Sequence, residues 1–252
     1  MRRIPKQTKP TESKRSRVDH VLATVGQWLI GGRYQPGETL PTEQQMSVRL
    51  GVSRNSVREA IKMLVGKGFV RTARRAGMII QPRTQWNMLD PSVLSWALEN
   101  PETRERLIHD LTGLRYIIET SVAALAATNA THTEILRMYE VLEEMEQHSD
   151  DVARSIECDV AFHTRLFEGA HNQLLASLTP AFAILLRANL EIAIMSGNFV
   201  SGLQKHRDVL DAIRLGDPQT ARNAMEQLLK TNVNDLSKVH QRPYLRKARK
   251  HI

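Results

Sequence analysis

The sequence predicts a mainly α-helical chain of two domains: an N-terminal winged helix-turn-helix and a C-terminal all-α antiparallel bundle. Three observations carry this. Apolar residues recur at three- and four-residue intervals along most of the chain. The two short strand-like runs, Phe69–Thr72 and Met78–Ile80, fall close together around a glycine turn. Beyond Pro91 there is no strand pattern, internal repeat or low-complexity tract.

The elements follow in order. Residues 1–17 are basic and poor in apolar side chains, and read as a flexible arm. Val18, Val21, Leu22, Val25, Leu29 and Ile30 form one helix face, stopped by Gly31-Gly32. Pro36-Gly37 makes a turn, Leu40–Glu43 starts a short helix to about Leu50, and Gly51 ends it. Ser53 is an N-cap for a helix to about Val65, with Val57, Ile61 and Leu64 facing inward. The winged domain then spans 18–82, and 83–100 reads as a linker carrying Trp86 and Trp96 at a domain junction. A helical effector-binding and dimerisation domain occupies 101–236, and 237–252 is a basic tail. Candidate helices from the linker onward are Pro91–Leu98, Glu102–Ala127, Thr131–Gln147, Val152–Ala170, Gln173–Ser196, Val200–Leu215 and Pro218–Leu236.

Charge separates the parts. Residues 1–86 carry a balance of +12, residues 87–235 a balance of −10, and the tail holds six Lys/Arg and no acid. A basic module joined to an acidic one is expected when only the first meets a polyanion. No run approaches the roughly 18 apolar residues that cross a bilayer, and the N-terminus has no apolar signal core. The lone Cys158 excludes an internal disulfide and fits a reducing, cytoplasmic setting.

The step Leu50-Gly51-Val52-Ser53 sets up a helix pair whose second member presents its N-terminal residues to the major groove. Those residues are Ser53, Arg54, Asn55, Ser56 and Arg58; Arg forks onto guanine, Asn onto adenine, and Ser reaches a base or a phosphate. Arg74 and Arg75 stand before Gly77 in the expected wing, where a tight turn enters a minor groove or follows phosphates. This segment resembles the DNA-binding domain of the GntR family. The resemblance rests on Gly37–Glu43, Leu50–Ala60, Leu64 and Gly68, and it adds Thr42 to the operator-binding set. Gln44 departs from the pattern, standing where many members carry an operator-contacting arginine, and the wing reads Arg75-Ala76-Gly77-Met78 where glycine-threonine is common.

In the second domain, Asp159 and His163 are one helical turn apart, where an oxygen and an imidazole can share a divalent cation or simply form a surface pair. Arg115 and Arg187 lie among Leu, Ile and Ala; each calls for an anion, supplied by an effector carboxylate or by an internal ion pair such as Arg115 with Glu119. Residues 100–235 resemble the FCD domain of the FadR subfamily, through Leu114-Arg115-Tyr116 with Glu119, Asp159–His163, His206, Leu210–Ile213 and Gly216-Asp217. The resemblance implies a zinc-like metal site of one aspartate and three histidines. Asp159, His163 and His206 match three of these, and Leu228 stands at the fourth. Three ligands completed by effector or water, weak binding, and a metal-free acid pocket all remain open. The segment Arg83–Asp90 with Val93–Trp96 is similar to the junction of galactonate-operon repressors in this subfamily, which implies a sugar-acid effector.

The expectation is a homodimeric transcriptional regulator, a repressor that binds a near-palindromic operator and is released by a small carboxylate held by Arg115, Arg187, Asp159, His163 and His206. Its partners are operator DNA and that effector, with no membrane. The competing readings are a metal-dependent enzyme on the bundle and a constitutive DNA-binding dimer. No positioned acid, base or nucleophile motif accompanies the Asp–His residues, which speaks against catalysis.

Overall fold

The computed structural model describes residues 14–74, 76–195 and 202–240, with side chains omitted at 14–15, 192–195 and 231–240. The chain divides into two compact units, residues 1–103 and 104–252.

In the first unit, α1 (Lys14–Ile30), α2 (Glu43–Leu50) and α3 (Arg54–Gly66) precede an antiparallel pair, β1 (Val70–Ala73) and β2 (Gly77–Ile80). Val70 pairs with Ile80 and Ala73 with Gly77, and Thr39 adds a bridge to Ile79. The predicted face of α1 is the buried one, with Val21, Val25 and Leu29 fully excluded from solvent beside Val57, Leu64, Phe69 and Val70. Helix α1 begins at Lys14, inside the expected arm, because Lys and Arg are good helix formers and nothing before Val18 breaks the chain.

Residues 83–100 are not a free linker. They carry a 3-10 turn (Arg83–Gln85) and α4 (Pro91–Glu99), capped by Asp90, and α4 packs on α1. Trp86 stacks on Phe69 with centroids 4.4 Å apart, and its indole N–H donates to the Gln81 carbonyl at 2.9 Å. Two glycines make room. A Cβ on Gly26 would stand under 3.0 Å from the Trp96 ring, and one on Gly68 (φ +79°) would collide with the Gln85 carbonyl. The reason is the burial of two large aromatic rings, which outweighs the polar composition of the segment.

The second unit is all helical: α5 (Pro101–Asn129, whose first turn crosses the unit boundary), α6 (His132–Gln147), α7 (Val152–Gly169), α8 (Gln173–Ala176), α9 (Thr179–Met195), α10 (Leu203–Arg214) and α11 (Pro218–His240). Its core joins Met138, Leu142, Phe162, Leu166, Phe167, Phe182, Val209, Leu210, Met225 and Leu228. The single helix expected over Gln173–Ser196 is broken, with Ser177 and Leu178 between α8 and α9. Pro180 explains this: it has no N–H, and its ring would strike the carbonyl four residues back, at Ala176. Ser196 and Val200, at the ends expected for two helices, lie outside the described residues. Helix α11 runs to His240, past the expected Leu236.

Candidate functional site

The first candidate surface is the N-terminal half of α3. Gly51 leaves α2 at φ +66°, and the Ser53 hydroxyl accepts from the Ser56 amide, so α3 starts sharply. Val57, Ala60, Ile61 and Leu64 anchor the helix inward. Arg54, Asn55 and Arg58 are exposed on its outer side, with Arg58 3.4 Å from Glu43 in a solvated pair. Ser56 is a correction: it is only 2% exposed, its hydroxyl lies 2.9 Å from that of Ser53, and it belongs to the cap rather than to the reading surface. Thr42 is exposed, but its hydroxyl is engaged in a capping box with Gln45. In the wing, Arg74 is exposed, Gly77 takes φ +77°, and Arg75 lies outside the described residues.

The second candidate site is buried where α5, α7 and α10 contribute polar side chains to an apolar core. Asp159 and His163 come from α7, His206 from α10, and Arg115 and Glu119 from α5; all are at most 7% exposed. His206 Nε2 lies 3.1 Å from Asp159 Oδ1, and His163 Nε2 lies 3.9 Å from Asp159 Oδ2. The opposite nitrogens are engaged elsewhere. His206 Nδ1 is 2.9 Å from the Gly202 carbonyl, and His163 Nδ1 is 2.6 Å from Glu119 Oε2, although the ring N–H is not aligned on that oxygen. A backbone carbonyl or carboxylate behind each imidazole is what turns the other nitrogen toward a cation. Phe162, fully buried, stands edge-on to both imidazoles.

The residues fit a metal. Asp159, His163 and His206 each offer a donor atom within 4.8 Å of the others. Asp159 Oδ2, His163 Nδ1 and His206 Nε2 are buried without an aligned hydrogen bond among the described residues, a costly state unless something satisfies them. Burial alone would raise the Asp159 carboxyl; His206, then the charges of His163 and Arg115, outweigh it and hold the group at about 2. Glu119 is likewise at about 2, where Arg115 and then His163 overcome desolvation. Leu228 is 2% exposed, and a Cβ on Gly202 would meet both its Cδ1 at 3.3 Å and the His206 ring at 3.6 Å, so an apolar group closes this side.

The two arginines part company. Arg115 Nε donates to Glu119 Oε1 at 2.6 Å, with Nη2 3.5 Å from Oε2, so its charge is already answered inside the protein. Arg187 on α9 is a correction: it is half-exposed and forked onto Glu157, because that position of the helix faces solvent rather than the cluster. Glu119 is the residue that sequence reasoning undervalued. Its one signal was the four-residue spacing to Arg115; its contact with His163 has none in the sequence.

Residues 17–80 match the family described as bacterial regulatory proteins, gntR family, and residues 110–231 match the FCD domain. The galactonate operon transcriptional repressor of Escherichia coli (strain K12) is 31% identical over 226 residues, covering 89% of this chain and 98% of that protein. The chain belongs to the GntR family. This GntR protein is also 30% identical over 224 residues to the Uxu operon transcriptional regulator of the same organism, covering 83% of the chain and 82% of the relative. A solved structure of Lar, described as controlling expression of the Listeria monocytogenes agr system, shares the fold with a TM-score of 0.59 at 16% identity, covering 91% of this chain and 99% of that one. The GntR chain is therefore a transcriptional regulator with a winged helix-turn-helix and an FCD domain, related to regulators of sugar-acid operons, and not an enzyme. No helix among the described residues is long and apolar enough to cross a membrane.

Proposed function

We propose that this regulator is a dimeric repressor that binds a near-palindromic operator through Arg54, Asn55 and Arg58 and is released by a small hydroxylated carboxylate, a sugar acid. The observation that carries the effector half is the buried trio of donor atoms on Asp159, His163 and His206. Arg115, Glu119 and Asp159 leave the site one negative charge in excess while the imidazoles are neutral, the form a metal ligand must take. Such a site attracts a cation before an anion. Asp159, His163 and His206 would hold a divalent ion, which when bound supplies a positive centre for an effector carboxylate. Arg115 neutralises Glu119, Glu119 positions His163, and Gly202 positions His206. Leu228 gives the site an apolar wall in place of a fourth donor, which suits a site with an open position.

Dimerisation is supported by an unpartnered apolar row on α5, with Ile117 68% exposed and Leu125 36% exposed two turns on, and by the small surface that one recognition helix offers DNA. The basic arm and tail, outside the described residues apart from the start of α1 and the end of α11, would add salt-dependent affinity. The deciding experiment titrates zinc and then D-galactonate into the full-length protein by calorimetry, and follows operator release by fluorescence anisotropy. Zinc-dependent uptake of the acid with loss of operator binding is expected. Release that survives both Asp159→Ala and His206→Ala would overturn the reading.

A further inference from the structure

Helix α9 carries one buried polar side chain that no site described so far uses. Asn189 is 6% exposed, between Leu186 and Leu190, and its amide makes no hydrogen bond to any described residue. An amide buried without a partner is costly, and native proteins keep one where something else completes it.

Its position follows from the packing of α7 on α9. Phe182 meets Phe167 with centroids 5.0 Å apart, and Arg187 pairs with Glu157, so the two helices run antiparallel. Asn189 is seven residues after Phe182, two turns further along the same side of α9. Two turns back from Phe167 along α7 lies the Asp159–Val160 level. The buried stripe of α9 thus changes from phenylalanine and leucine to asparagine at the level where α7 changes from Phe167 and Leu166 to the Asp159 donor.

We infer that Asn189 is a specificity-determining residue of the effector site, reading a hydroxyl of the ligand next to its carboxylate. An amide offers one acceptor and two donors, which match a hydroxyl in either sense, whereas a carboxylate partner would need only donors. The ligand class is therefore a hydroxy acid rather than a plain carboxylic acid. The inference rests on the effector reading above and sharpens it.

The test is calorimetry on the full-length, zinc-equilibrated protein with D-galactonate and 2-deoxy-D-galactonate. The parent should prefer the hydroxylated acid by about tenfold to a hundredfold, the range that one completed buried polar pair gives. Asn189→Leu should reduce that preference to less than about twofold, with affinity for the deoxy acid kept and the ligand-free melting temperature unchanged or raised. A purely structural asparagine would instead lose stability on the same change and leave the preference intact, which overturns the inference. If Asn189→Leu does not fold, Asn189→Ala is read by the same ratio. A parent that binds both acids equally also overturns it, while a parent that binds neither removes the effector reading itself.

Discussion

Glu119 Oε2 lies 2.6 Å from His163 Nδ1, with both side chains closed off from solvent. Since Glu119 also takes the Arg115 fork, one carboxylate ties a cation on its own helix to an imidazole on α7. The contact makes α5 part of the site and gives Arg115 an internal task.

Glu119→Gln should therefore act twice. It leaves Arg115 buried without its counter-charge, a loss of about 3–5 kcal/mol, read as a lower urea midpoint. It also frees the His163 ring, which should weaken zinc binding about tenfold to a hundredfold. Unchanged zinc affinity in a folded Glu119→Gln protein would mean that the contact does not position the ring.

On the head, Arg54→Ala should cost about 1–3 kcal/mol of operator binding and relax preference at one base position. Ser56→Ala should leave base preference alone, because Ser56 sits under the helix start at 2% exposure. Anisotropy against a panel of single-base operator variants separates the two. A changed base profile for Ser56→Ala would contradict its place in the cap.

The α5 row gives a third test. Ile117→Asp places a charge on a side chain that is 68% exposed in the single chain, so it should leave the fold intact while opening a dimer built on that face. Sedimentation velocity should show the variant as monomer at concentrations where the parent is dimer. A variant as dimeric as the parent would place the interface elsewhere.

Acid sensitivity has a defined contributor at the start of α6. Glu134 closes a capping box with Thr131 and contacts His171 at 2.9 Å; the His171 contact, followed by the Thr131 amide, holds its carboxyl at about 2 against an ordinary 4.5. A depressed carboxyl stabilises the fold fully above its unfolded value and loses that contribution as pH falls. The stabilisation should therefore be present above about pH 4.5 and fade toward pH 2, and solvent screening keeps it small. Melting curves of parent and Glu134→Gln should converge across that window; a gap that stays constant would assign the difference to another cause.

The head was legible because its signals are local. Gly51, Ser53 and the inward row Val57, Ile61 and Leu64 each constrain their own turn, and α3 follows them. The hidden features depend on partners far along the chain. Trp86 folds onto Phe69, seventeen residues away, and Trp96 fills the space left by Gly26, so a stretch with linker-like composition becomes part of a core. In the bundle, Asp159 and His163 share a turn and could be paired by spacing, and family resemblance supplied His206. Nothing local says that Glu119 faces His163, or that Arg187 turns out to Glu157. The break before α9 was readable at Pro180, but the apolar run on either side of it hides the interruption.

The fit of Trp96 against Gly26, and of the Gln85 carbonyl against Gly68, bears on how such regulators can be recombined. Residues 17–80 are the stretch that matches the GntR domain, yet a head cut at residue 82 would lose the indoles that cover Phe69 and α1. It would expose a wet, sticky face and lose solubility. A chimaera joined near residue 103 carries those rings along with the module they complete. Grafts at that seam should tolerate a foreign sensor, whereas grafts twenty residues earlier should fail unless the recipient brings its own tryptophans to the same two glycines.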